Sequence, residues 1–219
     1  MPRADLDATL SALFDAERAA RRAHDELVDA DWAQVVSALE RAAREARELE
    51  PSDDDEASLR LVRIAGVLGE LHGARVVDVL IDILDSDDAE VRRAAGEALS
   101  ELAFDRFKEV ALGVERALDR LPEGSPALAE LPYLLAEVPE PGVAQLLARF
   151  LALSDVDAVA SAIEAVVERG DLATLALLEP LQGDMRRVQL EDDGGTEAEA
   201  TLGELVAEAR TLISKRAPA

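Results

Sequence analysis

A chain of 219 residues with no cysteine, 49% hydrophobic residues and only 3% aromatics must build its core from Leu, Val and Ala, without disulfides or thiolate chemistry. Its 47 Asp and Glu against 23 Lys and Arg give a formal net charge of −24, which repels phosphate backbones and argues against a nucleic-acid partner. No apolar run approaches a membrane span and the opening MPRADLDATL lacks the apolar stretch of a signal peptide, so a soluble cytoplasmic protein with no membrane contact is expected.

In chain order, Leu6, Leu10, Leu13, Phe14, Leu27 and Val28 mark one face of a first long helix. Asp31 reads as the N-cap of a second, whose face is Trp32, Val35, Val36, Leu39, Ala43, Ala46 and Leu49. Together they predict an αα-hairpin over residues 1–50, a specialised cap. Arg18, Arg21 and Arg22 on the first helix and Arg41, Arg44 and Arg47 on the second interleave with glutamates. That pattern fits i,i+4 pairing on a solvated face or a docking patch for an acidic partner.

Pro51 and the acids after it mark a boundary. Next come helices carrying Leu59, Val62, Ala65, Leu68 and Leu71, then Val76, Val77, Leu80, Ile81 and Leu84, with Gly73 between them. A capped helix over 87–102 follows, DDAEVRRAAGEALSEL, then a corner at Phe104 and Asp105, then a helix through Val110, Val114, Ala117 and Leu121. Ser125 and Pro126 start another helix, which Pro132 is expected to kink or split. Helices around 143–151, 155–169 and 171–181 complete the series, ended by Pro180 and Gly183. Residues 183–219 read as an acidic loop or small β-hairpin, then a last helix opened by the capping box Thr201 and Glu204, suited to seal a stack.

The segments repeat. Leu68 superposes on Leu99 and Leu71 on Leu102 at a shift of 31; Leu135 lies 36 beyond Leu99, and Val166 31 beyond Leu135. The partner helices keep step: Val76, Leu80 and Leu84 match Val143, Leu147 and Leu151 at a shift of 67. A two-helix unit with a period near 31 predicts an all-α fold, an α-solenoid of stacked antiparallel helix pairs over 54–182. The stretch at 87–102, with Val91, Arg92, Ala94 and Ala95, resembles the HEAT repeat, in the short variety named after phycobilisome (PBS) lyases. The likeness is strong over 54–121 and weaker over 126–181, where Pro132 departs from the pattern and no Arg stands at the place of Arg92 in VDAVASAIEAVV. The resemblance implies a curved stack with a protein-binding surface.

Acidity is spread over every quarter of the chain, and only Lys108 and Lys215 are lysines. Dispersed carboxylates of this kind suit a halophilic prokaryote with molar salt in its cytoplasm; a GC-rich genome, which favours Arg over Lys, is the alternative.

Chemistry is sparse. His24 and His72 are isolated and, with no Cys, predict no metal centre. The acidic runs at 53–56 and 85–88 lack the spacing of a calcium loop and read as helix caps. No nucleophile elbow, P-loop or dinucleotide fingerprint occurs, and Gly194 and Gly195 lie in an acidic loop. Asp78, Asp82, Glu115 and Asp119 would oppose a basic nucleic-acid channel. No catalytic residue and no cofactor are expected. An adaptor or scaffold that binds a protein partner is the leading expectation, with the partner-binding residues unassigned. The alternative is a lyase-like chaperone holding a tetrapyrrole or similar cofactor, although Phe14, Trp32, Phe104, Phe107, Tyr133 and Phe150 are few and scattered.

Overall fold

The computed structural model of the chain describes residues 3–49, 55–191 and 197–216. Helices run in the order α1 (Arg3–Val28), α2 (Trp32–Arg47), α3 (Glu56–Gly69), α4 (Ala74–Leu84), α5 (Ala89–Arg120), α6 (Pro126–Ala136), α7 (Val143–Leu151) and α8 (Val156–Arg169). A 3₁₀ stretch (Leu172–Leu181), strands β1 (Arg187–Glu191) and β2 (Glu197–Thr201), and α9 (Leu202–Arg216) follow.

These helices stack as an all-α solenoid of two rows. In the first row α3, the limb of α5 before Arg106, α6, α8 and α9 lie side by side; in the second, α2, α4, the limb of α5 after Arg106, α7 and the 3₁₀ stretch do. The leucine register holds: Leu68, Leu99, Leu135 and Val166 are all fully buried, as are Val76, Leu80, Val143 and Leu147. One continuous apolar core runs from Val35 in α2 to Ile213 in α9. Small residues set its closest approach: a Cβ on Gly113 would sit 2.3 Å from Val77 Cγ1, so α5 meets α4 there through glycine alone.

Side-chain caps start the helices as expected. The Asp88 carboxylate accepts from the amides of Glu90 and Val91, Asp155 from those of Asp157 and Ala158, and Asp31 from that of Gln34. The same caps stitch neighbouring turns: Ser58 Oγ donates to Asp88 Oδ2 at 2.5 Å and Gly124 N to Asp155 Oδ2 at 2.7 Å. Arginines close helix ends, with Arg169 Nη1 donating to Val138 O and Arg186 Nη1 to Leu153 O, both at 2.8 Å. At the tail, β1 and β2 form an antiparallel hairpin with Val188 opposite Ala200. Thr201 and Glu204 cap α9 reciprocally, Thr201 N donating to Glu204 Oε2 at 2.8 Å.

The corner expected at Phe104 and Asp105 stands at Arg106 (φ −140°, ψ 45°), where two helical limbs meet across a kink, and Phe104 is exposed. Three expectations need correction. Pro132 does not split α6, a helix short enough that one missing N–H leaves it whole, and its ring is buried. Residues 172–181 are 3₁₀ rather than α: Thr174 Oγ1 takes the Asp171 carbonyl and Pro180 has no N–H to continue an α ladder. The apolar face of α1 is not a core face over its first half, since Leu6, Leu10, Leu13 and Phe14 are exposed and only Val28 packs on the core. Of the acidic run at 53–56 and the loop at 192–195, Asp53, Asp54 and the loop lie outside the described residues.

Candidate interaction surface

The two rows carry their acids differently. On the second row Arg116 grips Asp78 through Nε at 3.0 Å and Nη2 at 2.8 Å, Arg120 Nη1 reaches Asp82 at 2.6 Å, and Arg149 Nη2 reaches Asp119 at 2.6 Å. Arg75 pairs likewise with Glu40. Each arginine comes from the helix after its acid, so the pairs form a ladder up the row. Asp78, Asp82 and Asp119 are therefore engaged, while Glu115 makes no ion pair among the described residues.

The first row is grooved. Between α3 and α5 a groove of about 370 Å³ has Gly66, Gly69, Ala94 and Ala98 in its walls, with Glu70, Glu97 and Glu101. Between α5 and α6 one of about 350 Å³ is lined by Gly96, Ser100, Leu134, Tyr133 and Glu137. Between α8 and α9 one of about 470 Å³ has an apolar floor of Ile163, Val167, Leu205, Ala209 and Leu212 between Glu164, Glu168 and Glu208. Arg93 is held by Glu97 at 2.7 Å, Arg92 by Glu130 at 3.1 Å, and Arg63 of the α3/α5 groove lies 3.9 Å from Glu17, so acids outnumber bases across the three grooves taken together.

A column of glutamates links these grooves. Glu70, Glu101, Glu137 and Glu168 are separated by the same 31, 36 and 31 residues as the buried leucines, so they occupy one repeat position. Glu70 and Glu137 cap the C-termini of α3 and α6, and Glu168 lies in the last turn of α8. A carboxylate there faces the negative end of the helix dipole, a placement that costs about 0.3–1 kcal/mol when unanswered. The chain answers the first itself, with His24 Nε2 of α1 lying 2.5 Å from Glu70 Oε1. Glu101, Glu137 and Glu168 are exposed and make no ion pair among the described residues. The shift that aligned the leucines held this signal too; following apolar positions alone passes over it.

The other singled-out residues are dispersed. His72 is far from His24 in the chain, and its carbonyl accepts Trp32 Nε1 at 2.8 Å. Among the described residues there is no group of three or more His, Asp and Glu placed to hold a metal ion. In the run at 85–88, Asp88 caps α5 and Asp85 accepts Ser125 Oγ at 2.5 Å. Hydrogen bonds from the Ser58 hydroxyl, then from the Val91 and Glu90 amides, hold the Asp88 carboxyl below its usual range. Burial first, then the bond it donates to Glu164 Oε2 at 2.5 Å, pushes the Tyr133 phenol up to about 12, so it stays a donor on the groove wall. Phe150 is buried, Phe14 and Phe104 are exposed at distant places, and no cleft gathers the aromatics among the described residues. Of the arginines on the first hairpin, Arg18, Arg21 and Arg44 lie in intrahelical pairs with Asp15, Glu17 and Glu40. No helix among the described residues is long and apolar enough to cross a membrane.

No family model matches the chain, and no curated protein matches it. Among solved structures it is similar to an engineered protein (18% identity, 90% of each chain covered, TM-score 0.37). It is also similar to computationally designed armadillo repeat proteins for modular peptide recognition (15% identity, 91% of this chain and 92% of that one, TM-score 0.34). A further designed armadillo repeat protein shares 14% identity over 87% of this chain and 98% of its own, with a TM-score of 0.36. At these scores the solenoid assignment rests on the chain's own two rows of helices.

Proposed function

We propose that this chain is a non-enzymatic interaction scaffold that binds a basic protein segment along its first row, the partner's cations answering Glu101, Glu137 and Glu168. The observation that carries this reading is the recurrence, at one repeat position, of an exposed carboxylate without an ion pair among the described residues on three successive first-row helices, each lining a groove. A core needs buried leucine at a fixed register; it has no need of an exposed glutamate at the wrong end of each dipole.

Geometry narrows the partner. Packed helices lie about 8–10 Å apart, so the column repeats at roughly that interval. An extended chain advances about 3.3–3.6 Å per residue and covers the interval in about three residues. The expected partner is an extended segment with Arg or Lys at every third residue, and Arg suits carboxylates best through its bidentate fork. The motif at 87–102 supports placing the repeats in the short HEAT-like variety, and the dispersed acidity supports a salt-adapted, cytoplasmic setting.

The test is titration of peptides of equal charge, with Arg at every third or at every second residue, at one fixed salt concentration. The three-residue spacing is expected to bind the tighter. Glu101→Gln, Glu137→Gln and Glu168→Gln together are expected to weaken it about tenfold, since each exposed pair contributes about 0.2–1 kcal/mol and a tenfold change is about 1.4 kcal/mol. Binding that ignores both spacing and the triple substitution overturns the reading.

A further inference from the structure

Within the glutamate column only Glu70 meets an ion-pair partner among the described residues, and that partner comes from α1: His24 Nε2 lies 2.5 Å from Glu70 Oε1. The two groups meet at the groove between α3 and α5, which His24 lines together with Glu70 and Glu101. Arg63 and Arg93 line it as well, the first near Glu17 and the second held by Glu97. A basic segment lying along Glu101, Glu137 and Glu168 would reach Glu70 on extending by one more interval of the same register. An imidazole from the chain itself already stands there.

The helix that supplies this imidazole is lightly held. Of the described side chains of α1 only Glu17, His24 and Val28 are not exposed, and their spacing puts them in one stripe of the helix. Each has its own contact: Glu17 near Arg63 at 3.9 Å, His24 on Glu70, and Val28 on the core. One apolar side chain thus docks a helix of 26 residues, whereas the 14 residues of α3 bury Leu61, Ile64, Ala65, Val67 and Leu68. The His24 and Glu70 side chains are 30% and 58% exposed, and a pair so open to water contributes little. What holds His24 on Glu70 is therefore of the same order as what an incoming arginine would gain there.

We infer, resting on the basic-segment reading above, that α1 is a built-in competitor for the first position of the column: His24 masks Glu70, and a partner carrying a fourth base displaces it. With His24 in place the first row offers three open carboxylates; with His24 displaced it offers four. A three-base segment leaves α1 where it lies. A four-base segment must take Glu70 from His24, and the part of α1 that it loosens is held otherwise by Val28 and the long contact from Glu17. The chain thereby regulates how long a basic segment it accepts.

The test titrates peptides with three or with four arginines, one at every third residue, into the full chain at one fixed salt concentration. Wild type, His24→Ala, Glu70→Gln and the double variant are compared, with circular dichroism and melting to check that each stays folded. His24→Ala is expected to tighten the four-base peptide about two- to fivefold, the worth of one exposed pair, and to change the three-base peptide little. In the Glu70→Gln background the same substitution is expected to bring no gain. Hydrogen exchange on the wild type needs no variant: amides over residues 17–28 are expected to exchange faster with the four-base peptide than with the three-base one. A four-base peptide that binds His24→Ala no tighter than wild type overturns the inference. So does a gain that survives Glu70→Gln, or exchange in α1 that is the same with both peptides. In each of those cases the three-base peptide still binds through Glu101, Glu137 and Glu168, and the proposed function stands. A three-base peptide indifferent to the triple substitution there defeats that function, and the role of α1 falls with it.

Discussion

Along the second row Asp78, Asp82 and Asp119 each meet an arginine from the following helix, whereas along the first row Glu101, Glu137 and Glu168 meet none. Both rows rest on the same buried core and both are acidic. What differs is how far the counter-charge comes from within: the first row has Arg92 of α5 on Glu130 of α6, yet leaves its glutamate column bare beyond Glu70. A carboxylate bridged to the next helix holds that helix and is unavailable to a partner; a bare one contributes nothing to the stack and keeps its whole field for an incoming cation. The second row therefore reads as the structural row and the first as the surface on offer.

Substitutions that strike both rows alike should come first in size. Leu99→Ala removes a fully buried side chain at the centre of the register and is expected to cost about 2–5 kcal/mol in denaturant unfolding at fixed salt, because neighbours on both sides hold the cavity open. An unchanged midpoint would put Leu99 outside the core and break the register on which both rows depend. Gly113→Ala drives a methyl onto Val77 where α5 meets α4 and is expected to cost about 1–3 kcal/mol.

Caps come next. Asp88→Ala is expected to cost about 0.5–2 kcal/mol. The Asp88 carboxyl is held below its usual range in the folded chain, so its contribution is complete above the unfolded value near 3.9 and fades as pH falls through the lower folded value. The difference between wild type and Asp88→Ala should accordingly shrink in strong acid. A gap that stays constant with pH would mean that the charge on Asp88 is not what stabilises.

The smallest effects separate the rows most sharply, because their signs differ. Asp78→Asn strands Arg116 and is expected to destabilise by about 0.2–1 kcal/mol at low salt. Glu137→Gln removes a carboxylate from the negative end of α6 and is expected to stabilise by about 0.3–1 kcal/mol. Loss of stability in Glu137→Gln would reveal an internal role for that residue and remove the contrast. The wild type should melt higher in ~1 M than in ~0.1 M potassium chloride, as the Debye length falls from about 10 Å to about 3 Å and first-row repulsion is screened. A flat or falling melting temperature would count against salt adaptation.

How much of this could be read from the chain depends on what each feature requires locally. Leu68, Leu99, Leu135 and Val166 announce themselves because burial on a helix imposes a spacing, and all four are fully buried. The glutamate column was in the same register and equally legible, yet periodicity arguments weigh apolar positions and pass over exposed ones. The second-row ladder was not legible: Asp78 and Arg116 are 38 residues apart, and only the stacking brings them together. The corner at Arg106 was legible to within a residue as a break at Phe104 and Asp105, whereas the run at 172–181 is apolar at nearly every position and shows no 3.6-residue rhythm to favour α over 3₁₀. For α1 the amphipathic pattern correctly marks a face; a pattern on one helix states which side avoids water and is silent on what covers it.

The corner at Arg106 has a mechanical consequence. The two limbs of α5 lie in different rows, with Ala98 against Gly69 on one limb and Gly113 against Val77 on the other, and the non-helical torsions between them fall on Arg106. The connections between α3 and α4 and between α6 and α7 run over residues 70–73 and 137–142. So tight a corner leaves the two limbs little slack to separate. Pulled from its ends, the molecule should lengthen first at the longer connection between α6 and α7 and at α1. The pair joined at Arg106 should give way later, leaving an intermediate plateau in a force–extension trace.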